Sequence, residues 1–419
     1  MKNNLKDKVA IVIDYGGAMS AARMLGGVFK KVYYNNPSWK SSFVRWQEYL
    51  IGEGVDEIER IDDFWPVFNE IDIWIFPDLF QGEFQIWLQE QGKRVVGARD
   101  AEELEIYRGS FKQALKKLKL ESGDFAEVQG IEELRKYLKG KSDLWIKASL
   151  VRQNMETWHY LDDKLSAGRL RELEYSLGAF GSECDFLVES PVDGVEAGFD
   201  GILCAGESLP TCMTGIEIKD AGYLGKAVPY KKLPIQLLDV NEAFAKVFKK
   251  SNYSGYMSTE VRIREDGSFI FSDLCARFGS PPGDAMNLVF TNMAQVLWDI
   301  SEGIPTDLEF DDPYVVQVIM KSNWAVDEPQ PIFFPEKYKK NVNIKNLAII
   351  DDVHYYIPVI GMSEFGSVCA TGRTAEEAID EAKKICDTIK GDSIELNIQP
   401  LYESGKEIEK LKSFGIKLF

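Results

Sequence analysis

Two acidic residues that could share one site lie on neighbouring strand-like segments of the chain. Glu260 opens the segment 260–263 and Asp273 closes the segment 268–273, with a Glu-Asp-Gly turn sequence between them at 265–267. This pattern predicts a β-hairpin, and a hairpin can point carboxylates of its paired strands into one cleft. Mg²⁺ or Mn²⁺ prefers oxygen ligands and is commonly held by one or two carboxylates together with substrate phosphates. The pair therefore predicts a metal–nucleotide site.

A basic residue follows the second acid in a position to act on phosphate. Arg277 lies four residues after Asp273, and a guanidinium can stabilise charge on a transferred phosphoryl group. The alternative is a surface hairpin with solvated acids and one arginine at its end. Segment 273–281 reads Asp-Leu-Cys-Ala-Arg-Phe-Gly-Ser-Pro. It resembles the Glu-x-Asn-x-Arg-Phe-Gly-Asp-Pro signature of the phosphoribosylamine–glycine ligase family, part of the ATP-grasp superfamily, and this resemblance implies ATP as the nucleotide.

Two acids upstream fit the nucleotide half of this resemblance. Glu189 ends the apolar run 186–188, and Glu196 follows seven positions later. In ATP-grasp enzymes the first such acid ends the strand that meets the adenine, and the second binds the ribose hydroxyls. A strand end offers backbone donors and acceptors to the adenine edge, and a carboxylate accepts two hydroxyl hydrogen bonds. The resemblance therefore assigns Glu189 and Glu196 to ATP binding.

Three cations complete the phosphate site that the resemblance implies. Lys147 follows the apolar segment 144–146 and is similar to the family lysine that reaches from the lid to the phosphates. Lys219, in Glu-Ile-Lys-Asp at 217–220, is similar to the central-strand lysine that faces the phosphates and the acyl phosphate. Arg108 occupies the position of the family's first phosphate lysine. The alternative for each lysine is a solvated surface charge.

Several positions depart from the family pattern. Cys275 replaces an asparagine at the metal site, and a thiol is a poor ligand for Mg²⁺. The family's glycine-rich lid loop is replaced by 148–157, where Arg152 would supply positive charge to the triphosphate and Glu156 would orient it. The alternative is an exposed loop without contact to the nucleotide. Near the N-terminus, Ala-Met at 18–19 replaces the family's Arg-Glu. The change at 18–19 predicts an amine substrate other than phosphoribosylamine, whereas Cys275 and the altered lid loop leave open whether the site turns over.

The composition argues against several function classes. Hydrophobic residues make up 45% and charged residues 28% of the 419 residues, as in ordinary globular proteins. A net charge of −18 and a pI near 4.8 argue against a broad nucleic-acid surface or binding to anionic membranes. Six cysteines without a CxxC pair and two histidines argue against a zinc site, a disulfide framework or a histidine-centred triad. No apolar stretch approaches a membrane span of about 18 residues, so we expect a cytoplasmic protein.

The elements around these residues predict a mixed α/β and α+β architecture. Apolar strands at 9–14, 71–76 and 94–97 alternate with helices at 18–29 and 82–91, which is typical of a Rossmann-like parallel sheet. A charged helix is predicted at 101–118, and strand-rich segments follow it. We therefore expect an N-terminal Rossmann-like (pre-ATP-grasp) domain at 1–100, an ATP-grasp domain at 101–310 with a small lid at about 120–187, and a β-rich C-terminal lobe at 311–419.

The resemblance implies an ATP-dependent carboxylate–amine ligase. Mg²⁺ would bind Glu260 and Asp273, and Lys147, Lys219 and Arg277 would offset negative charge. A small-molecule carboxylate, glycine in the family, would become an acyl phosphate that an amine displaces. One alternative is a degenerate ATP-binding protein of the same fold without turnover, and another is an α/β interaction module that binds no nucleotide. The sequence leaves the oligomeric state open.

Overall fold

A computed structural model gives the structure of the protein and describes residues 4–37, 49–151, 156–324, 328–358 and 363–419. Within these ranges the chain forms four β-sheets that are covered by helices. None of the helices in these ranges combines the length and apolar character needed to cross a bilayer.

The N-terminal lobe is built on a five-stranded parallel sheet. Its strands are β1 (Val9–Ile13), β2 (Lys31–Asn35), β3 (Glu59–Arg60), β4 (Ile73–Ile75) and β5 (Arg94–Val96), in the order β3-β2-β1-β4-β5. Helices α1 (Met19–Leu25) and α2 (Gly82–Glu90) pack on this sheet. Parallel strands are usually covered on both faces, which explains the continuous apolar runs of β1 and β4. The strand order reverses between β1 and β4, and such a reversal opens a ligand crevice at the carboxyl ends of the strands.

A small antiparallel sheet, called the lid here, follows α3 (Glu103–Ile106) and α4 (Arg108–Leu118). Its strands are β6 (Phe125–Gln129), β7 (Leu144–Ala148), β8 (Thr157–Tyr160) and β9 (Asp185–Glu189), in the order β6-β9-β7-β8. Helices α5 (Ile131–Leu138) and α6 (Ala167–Leu177) bury Leu134 and Leu173 against Ile146 and Phe186 of the sheet. The lid therefore has a hydrophobic core of its own.

The middle of the chain supplies six strands of a large antiparallel sheet and three helices. The strands are β10 (Val195–Cys204), β11 (Glu207–Ser208), β12 (Thr211–Ile218), β13 (Gly222–Pro229), β14 (Gly255–Ile263) and β15 (Phe269–Cys275). The helices are α7 (Ile235–Lys250), α8 (Gly283–Val289) and α9 (Met293–Ser301). Helix α7 covers one face of the sheet, where Leu237 and Phe244 pack with Val261 and Phe271. Because successive strand residues point to opposite faces, the polar residues between these apolar ones lie on the other face.

The C-terminal part continues the same sheet across residue 310. Its strands are β16 (Tyr314–Lys321), β17 (Gln330–Ile332), β18 (Val342–Ile344), β19 (Leu347–Ile350), β20 (Val353–Tyr356), β21 (Glu364–Gly372) and β22 (Glu395–Leu396), and its helices are α10 (Ala375–Cys386), α11 (Gln399–Glu403) and α12 (Gly405–Ser413). The large sheet has ten strands, with the path β15-β14-β10-β12-β13-β16-β21-β18 and with β11 and β22 beside it. Strands β17, β20 and β19 form a separate small sheet.

Two predicted helices differ from the structure. The helix predicted at 101–118 is divided, because Tyr107 is extended (φ −106°, ψ 91°) between α3 and α4. The helix predicted at 18–29 ends at Leu25, where Gly26 follows and Gly27 has a positive φ of 73°. Glycine favours this left-handed conformation, so the pair stops the helix.

Candidate functional site

The two acids of the predicted hairpin are direct partners across it. Glu260 on β14 pairs with Asp273 on β15, and the register shifts between Glu260 and Val261. Directly opposed residues of an antiparallel pair place their side chains on the same face. The adjacent residues Val261 and Leu274 are buried in the core under α7. Both carboxylates therefore lie on the polar face of the large sheet, away from α7.

Three more acids join Glu260 on this face. Glu196 and Asp200 lie on β10 and Glu217 on β12, and together with Glu260 they line a narrow crevice of about 10 Å³. Burial raises the pKa of Glu217 to about 8 and the pKa of Glu260 well above its usual range, and the negative charge of Glu196 is the second cause in both cases. A divalent cation would remove the repulsion between these acids, so the donor set fits Mg²⁺ or Mn²⁺.

The described part of the chain contains no preformed cage for a metal ion. In it, no three His, Cys, Asp or Glu side chains are grouped closely enough to hold a metal ion by themselves. Mg²⁺ commonly keeps waters and substrate phosphates as ligands, so Glu260 and Asp273 would suffice. Burial raises the pKa of the Cys275 thiol well above its usual range, which keeps it a neutral, poor ligand.

Helix α4 and the lid place two of the predicted cations beside Asp273. Lys147 Nζ lies 3.6 Å from Asp273 Oδ2 and 3.2 Å from Glu189 Oε2. Arg108 Nη1 lies 3.4 Å from Asp273 Oδ1, and Lys112 pairs with Glu189. Burial alone would raise the pKa of Asp273, but Lys147 and Arg108 hold that pKa below its usual range. Arg108, Lys147 and Glu189 therefore form one ion-pair network with the acid of the hairpin.

Arg277 is held in place by an acid from α3. Its Nε lies 2.7 Å from Glu105 Oε1, and Glu105 Oε2 accepts the N–H of Ala276 at 2.7 Å. Arg277 also donates to the carbonyl oxygen of Phe278 at 3.0 Å. These bonds fix the guanidinium beside a second, larger cleft of about 460 Å³, which Arg277 lines. Arg277 thus lies between that cleft and the acidic hairpin, only four residues after Asp273.

Lys219 and Glu156 lie where the lid meets the rest of the molecule. Lys219 follows the last residue of β12, and its Nζ lies 4.5 Å from the centre of the Trp145 ring on the lid, a cation–π contact. Glu156 pairs with Arg108, which ties the start of β8 to α4. Arg152, for which a phosphate contact was predicted, lies outside the described residues.

Glu196 already has a basic partner. Its Oε2 lies 2.6 Å from Arg262 Nη2, and the two residues are cross-strand neighbours on β10 and β14. A ribose that bound to Glu196 would therefore compete with Arg262. The crevice beside it is also far smaller than the roughly 300 Å³ or more of a typical ligand pocket. The lid contacts the large sheet through Lys147, which pairs with Asp273, and through Trp145, which contacts Lys219.

Several residues that shape the site belong to none of the predicted motifs. Arg262, Glu105 and Asp14 are the main ones. Arg262 alternates with Glu260 along one strand, which is a weak signal in the sequence. Asp14 directly follows the first apolar strand, and a polar residue at the carboxyl end of a parallel strand is typical of a ligand site. Glu105 has no such signal, because its contact with Arg277 joins distant parts of the chain.

The chain combines a parallel N-terminal sheet, a small lid sheet and a large antiparallel sheet. This arrangement is that of the ATP-grasp fold. The solved structures that share this architecture make the assignment concrete. Phosphoribosylamine–glycine ligase of Thermotoga maritima matches with a TM-score of 0.67 and 15% identity, over 93% of this chain and 98% of that one. The resemblance seen in the motifs is therefore confirmed at the level of the fold, as is the mixed α/β and α+β architecture.

Two further structures with the same fold have different names. The biotin carboxylase domain of the 2-oxoglutarate carboxylase of Hydrogenobacter thermophilus, solved with MgADP and bicarbonate, matches with a TM-score of 0.63 and 13% identity, over 98% of this chain and 96% of that one. N5-carboxyaminoimidazole synthetase from Staphylococcus aureus matches with a TM-score of 0.55 and 13% identity, over 92% and 100%. No protein-family model matches the chain, and no curated protein matches it by sequence.

Proposed function

We propose that the chain is an ATP-dependent ligase that joins a small-molecule carboxylate to an amine through an acyl phosphate. One observation carries the proposal: acids and cations meet in one ion-pair network. Asp273 is the cross-strand partner of Glu260, and Lys147 and Arg108 both contact the Asp273 carboxylate. A triphosphate with its metal needs both kinds of charge, because carboxylates bind the cation while basic groups bind the phosphate oxygens.

Nucleotide entry would require the lid to move away from the sheet. Lys147 of the lid is already in contact with Asp273, and the lid has its own hydrophobic core with which to move as a unit. Opening would break the contact of Lys147 with Asp273 and that of Glu156 with Arg108, because Arg108 lies on α4, which packs in the core of the large sheet. The triphosphate would then replace Asp273 as the partner of both cations, and bound Mg²⁺ would give Asp273 and Glu260 a new counter-charge.

In the proposed reaction, an oxygen of the substrate carboxylate attacks the terminal phosphorus of ATP, and ADP leaves. Lys219 and Arg277 lie at the rim of the site, where they would stabilise the charge that develops on the phosphoryl group. The amine nitrogen then attacks the acyl carbon, a C–N bond forms, and phosphate leaves with the electrons of the broken C–O bond. This sequence needs no protein nucleophile, since it depends on positioning and on charge stabilisation.

Phosphate release in the presence of MgATP tests this function. Glycine, the acid that the resemblance suggests, and a panel of amines would be added singly and together. We expect release to require both substrates, and Asp273→Asn to lower it by about a hundredfold or more, the scale of losing one key charge-stabilising group. Glu265→Gln, in the exposed turn of the same hairpin, is the matched control and should keep full activity.

The alternative is an ATP-binding protein of the same fold without turnover. Cys275 at the metal site and the existing ion pairs of Lys147 and Arg108 favour it. This alternative predicts that MgATP binds to the wild-type protein, but that no carboxylate or amine produces phosphate release above the background of the Asp273→Asn variant.

A further inference from the structure

Glu196 and Arg262 form an ion pair on the polar face of the large sheet. They are cross-strand partners on β10 and β14, and Glu196 Oε2 lies 2.6 Å from Arg262 Nη2. Glu196 also lines the narrow crevice that it forms with Glu217 and Glu260. The Glu196 side chain is 19% exposed and the Arg262 side chain 38%, so a ligand can reach both groups.

Arg262 gives Glu196 a counter-charge inside a cluster of acids. Burial raises the pKa of Glu196, whereas the charge of Arg262, and next that of Lys219, lowers it. For Glu217 and Glu260, the second cause after burial is the negative charge of Glu196, which raises the pKa of both. Glu196 is therefore the acid of the crevice whose neighbouring cations favour the ionised form, and an ionised carboxylate only accepts hydrogen bonds.

The ion pair leaves part of the Glu196 carboxylate available to a ligand. Arg262 binds Oε2, and Oε1 accepts no hydrogen bond from the described part of the chain. A carboxylate has about four lone-pair sites, so one contact with arginine does not exhaust it. The competition between a ribose and Arg262 therefore concerns Oε2 alone. Because a guanidinium is planar and rigid, it fixes the direction of its partner carboxylate better than an ammonium group does.

The stability of the sheet does not account for this ion pair. Strands β10 and β14 are paired from Val195 opposite Ile263 to Leu203 opposite Gly255, and the apolar residues of both strands pack in the core under α7. A partly exposed ion pair adds little to such an interface. We therefore expect variants of Arg262 to fold, and the pair needs an explanation in the site.

We propose that Arg262 is a positioning residue that sets the sugar specificity of the nucleotide site: it holds Glu196 in the orientation that accepts from the two adjacent hydroxyls of a ribose. The proposal rests on the proposed function for the presence of ATP. A site built to bind a hydroxyl group discriminates strongly against an analogue without it, because a polar group of the site is then left unpaired. The site therefore selects ribonucleotides over deoxyribonucleotides.

Calorimetric titration with three nucleotides tests the proposal. The full chain is titrated with ATP, 2′-deoxyATP and 3′-deoxyATP, each in the presence of Mg²⁺. We expect the wild type to bind ATP about tenfold more tightly than either deoxynucleotide, since each of these lacks one hydrogen bond to a charged acceptor. In Arg262→Gln the preference should fall to about threefold or less, because Glu196 is no longer held in one orientation.

Arg264→Gln is the matched control. Arg264 lies on the same hairpin, its side chain is 35% exposed, and its Nη1 lies 3.7 Å from Glu121 Oε1. This variant should keep the preference of the wild type. Arg262→Lys keeps the charge but not the planar fork, so its preference should be intermediate. The lysine variant also keeps the test decisive if Arg262→Gln does not fold.

A double-mutant cycle distinguishes positioning from direct contact with the nucleotide. Glu196→Gln alone should abolish the preference, and the addition of Arg262→Gln should change it no further, because Arg262 acts through Glu196. Equal affinity of the wild type for the three nucleotides, a wild-type preference in Arg262→Gln, or the same effect of Arg262→Gln in the Glu196→Gln background would each overturn the proposal.

The same titrations separate this proposal from the proposed function. A wild type that does not bind MgATP would contradict the ligase function, and the role of Arg262 with it. A wild type that binds MgATP without preference for the ribose hydroxyls would contradict the role of Arg262 alone.

Discussion

At the scale of single residues, the carboxyl group of Asp14 is buried at an energetic cost beside the cleft of about 460 Å³. Burial raises the pKa of Asp14 to about 7, and the negative charge of Asp78 is the second cause. The hydrogen bonds from Ala18 and Tyr34 act in the opposite direction, since they lower the pKa. None of the residues in the described ranges forms a salt bridge with this buried carboxyl, and a residue selected for stability alone would not be an acid there. Retention of such an acid is typical of a binding or catalytic role.

The pKa of Asp14 predicts how stability depends on pH. The native carboxyl keeps its proton to higher pH than the unfolded chain, whose carboxyl titrates near 3.8. The free energy of unfolding should therefore fall as pH rises from about 4 to about 7, by on the order of 2 to 4 kcal/mol from this group. Asp14→Asn removes this loss. The melting temperature of the variant relative to the wild type should rise between about pH 5 and pH 8, and a constant difference would contradict the assignment.

Some site residues could be predicted from the sequence because their contacts are local. Glu260 and Asp273 are separated by a single hairpin turn, so the turn sequence predicts their pairing. The ion pair of Glu196 with Arg262 depends on the register between β10 and β14, two strands that are far apart in the sequence. Spacing alone cannot supply such a register, so the partner of Glu196 could not be predicted.

At the scale of elements, the lid is held to the rest of the molecule by ion pairs at its edge. Glu156, next to β8, pairs with Arg108 at the start of α4, and Lys147 on β7 contacts Asp273 on β15. These groups are partly or fully buried, so their contacts are screened less by solvent than surface pairs. Under the proposed function, these contacts would form a latch that a bound nucleotide has to release.

Weakening the latch should open the lid in the free protein. Glu156→Gln removes one charge of the pair with Arg108, so amide hydrogen exchange in the lid strands should speed up without ATP, and MgATP should bind a few-fold more tightly because less is lost on opening. Glu133→Gln, which alters an exposed pair on α5, should change neither quantity. Unchanged exchange in Glu156→Gln would show that the pair does not hold the lid.

Element boundaries could be predicted where the local signals were strong. The cap of α10 is an example, since Thr374 Oγ1 accepts the N–H of Glu377 at 3.1 Å as its sequence pattern indicates. The break at Tyr107 could not be predicted, because the segment around it has helical periodicity. It allows Arg108 to begin a new helix, with its N–H bound to the Ser149 hydroxyl at 3.2 Å and its side chain at the site. That constraint comes from tertiary structure.

At the scale of the whole molecule, the large sheet joins the middle and C-terminal parts of the chain. Strand β16 pairs with β13 on one side and with β21 on the other. The predicted boundary at 310 therefore falls between neighbouring strands of one sheet rather than between separate sheets. Motion between these two parts would break backbone hydrogen bonds, whereas motion of the lid would break mainly side-chain contacts.

Truncation tests this continuity. A chain that ends at residue 310 would lack β16, so the edge of β13 would be unpaired. It would also lose Val315 and Val316, and the core residues that pack on them would be exposed. We expect it to lack a cooperative thermal transition by circular dichroism, because an uncovered apolar edge does not support a stable sheet. A truncated chain that melted cooperatively near the temperature of the full protein would show that the first 310 residues fold independently.

Titration of ATP with and without Mg²⁺ examines the joint role of Glu260 and Asp273. The wild type should bind ATP much more tightly with Mg²⁺ than in the presence of a chelator. Asp273→Asn should lose most of this dependence, and Glu265→Gln, on the same hairpin, should keep it. Equal affinity with and without Mg²⁺ in the wild type, or wild-type MgATP affinity in Asp273→Asn, would contradict a cation held on ATP by these two acids.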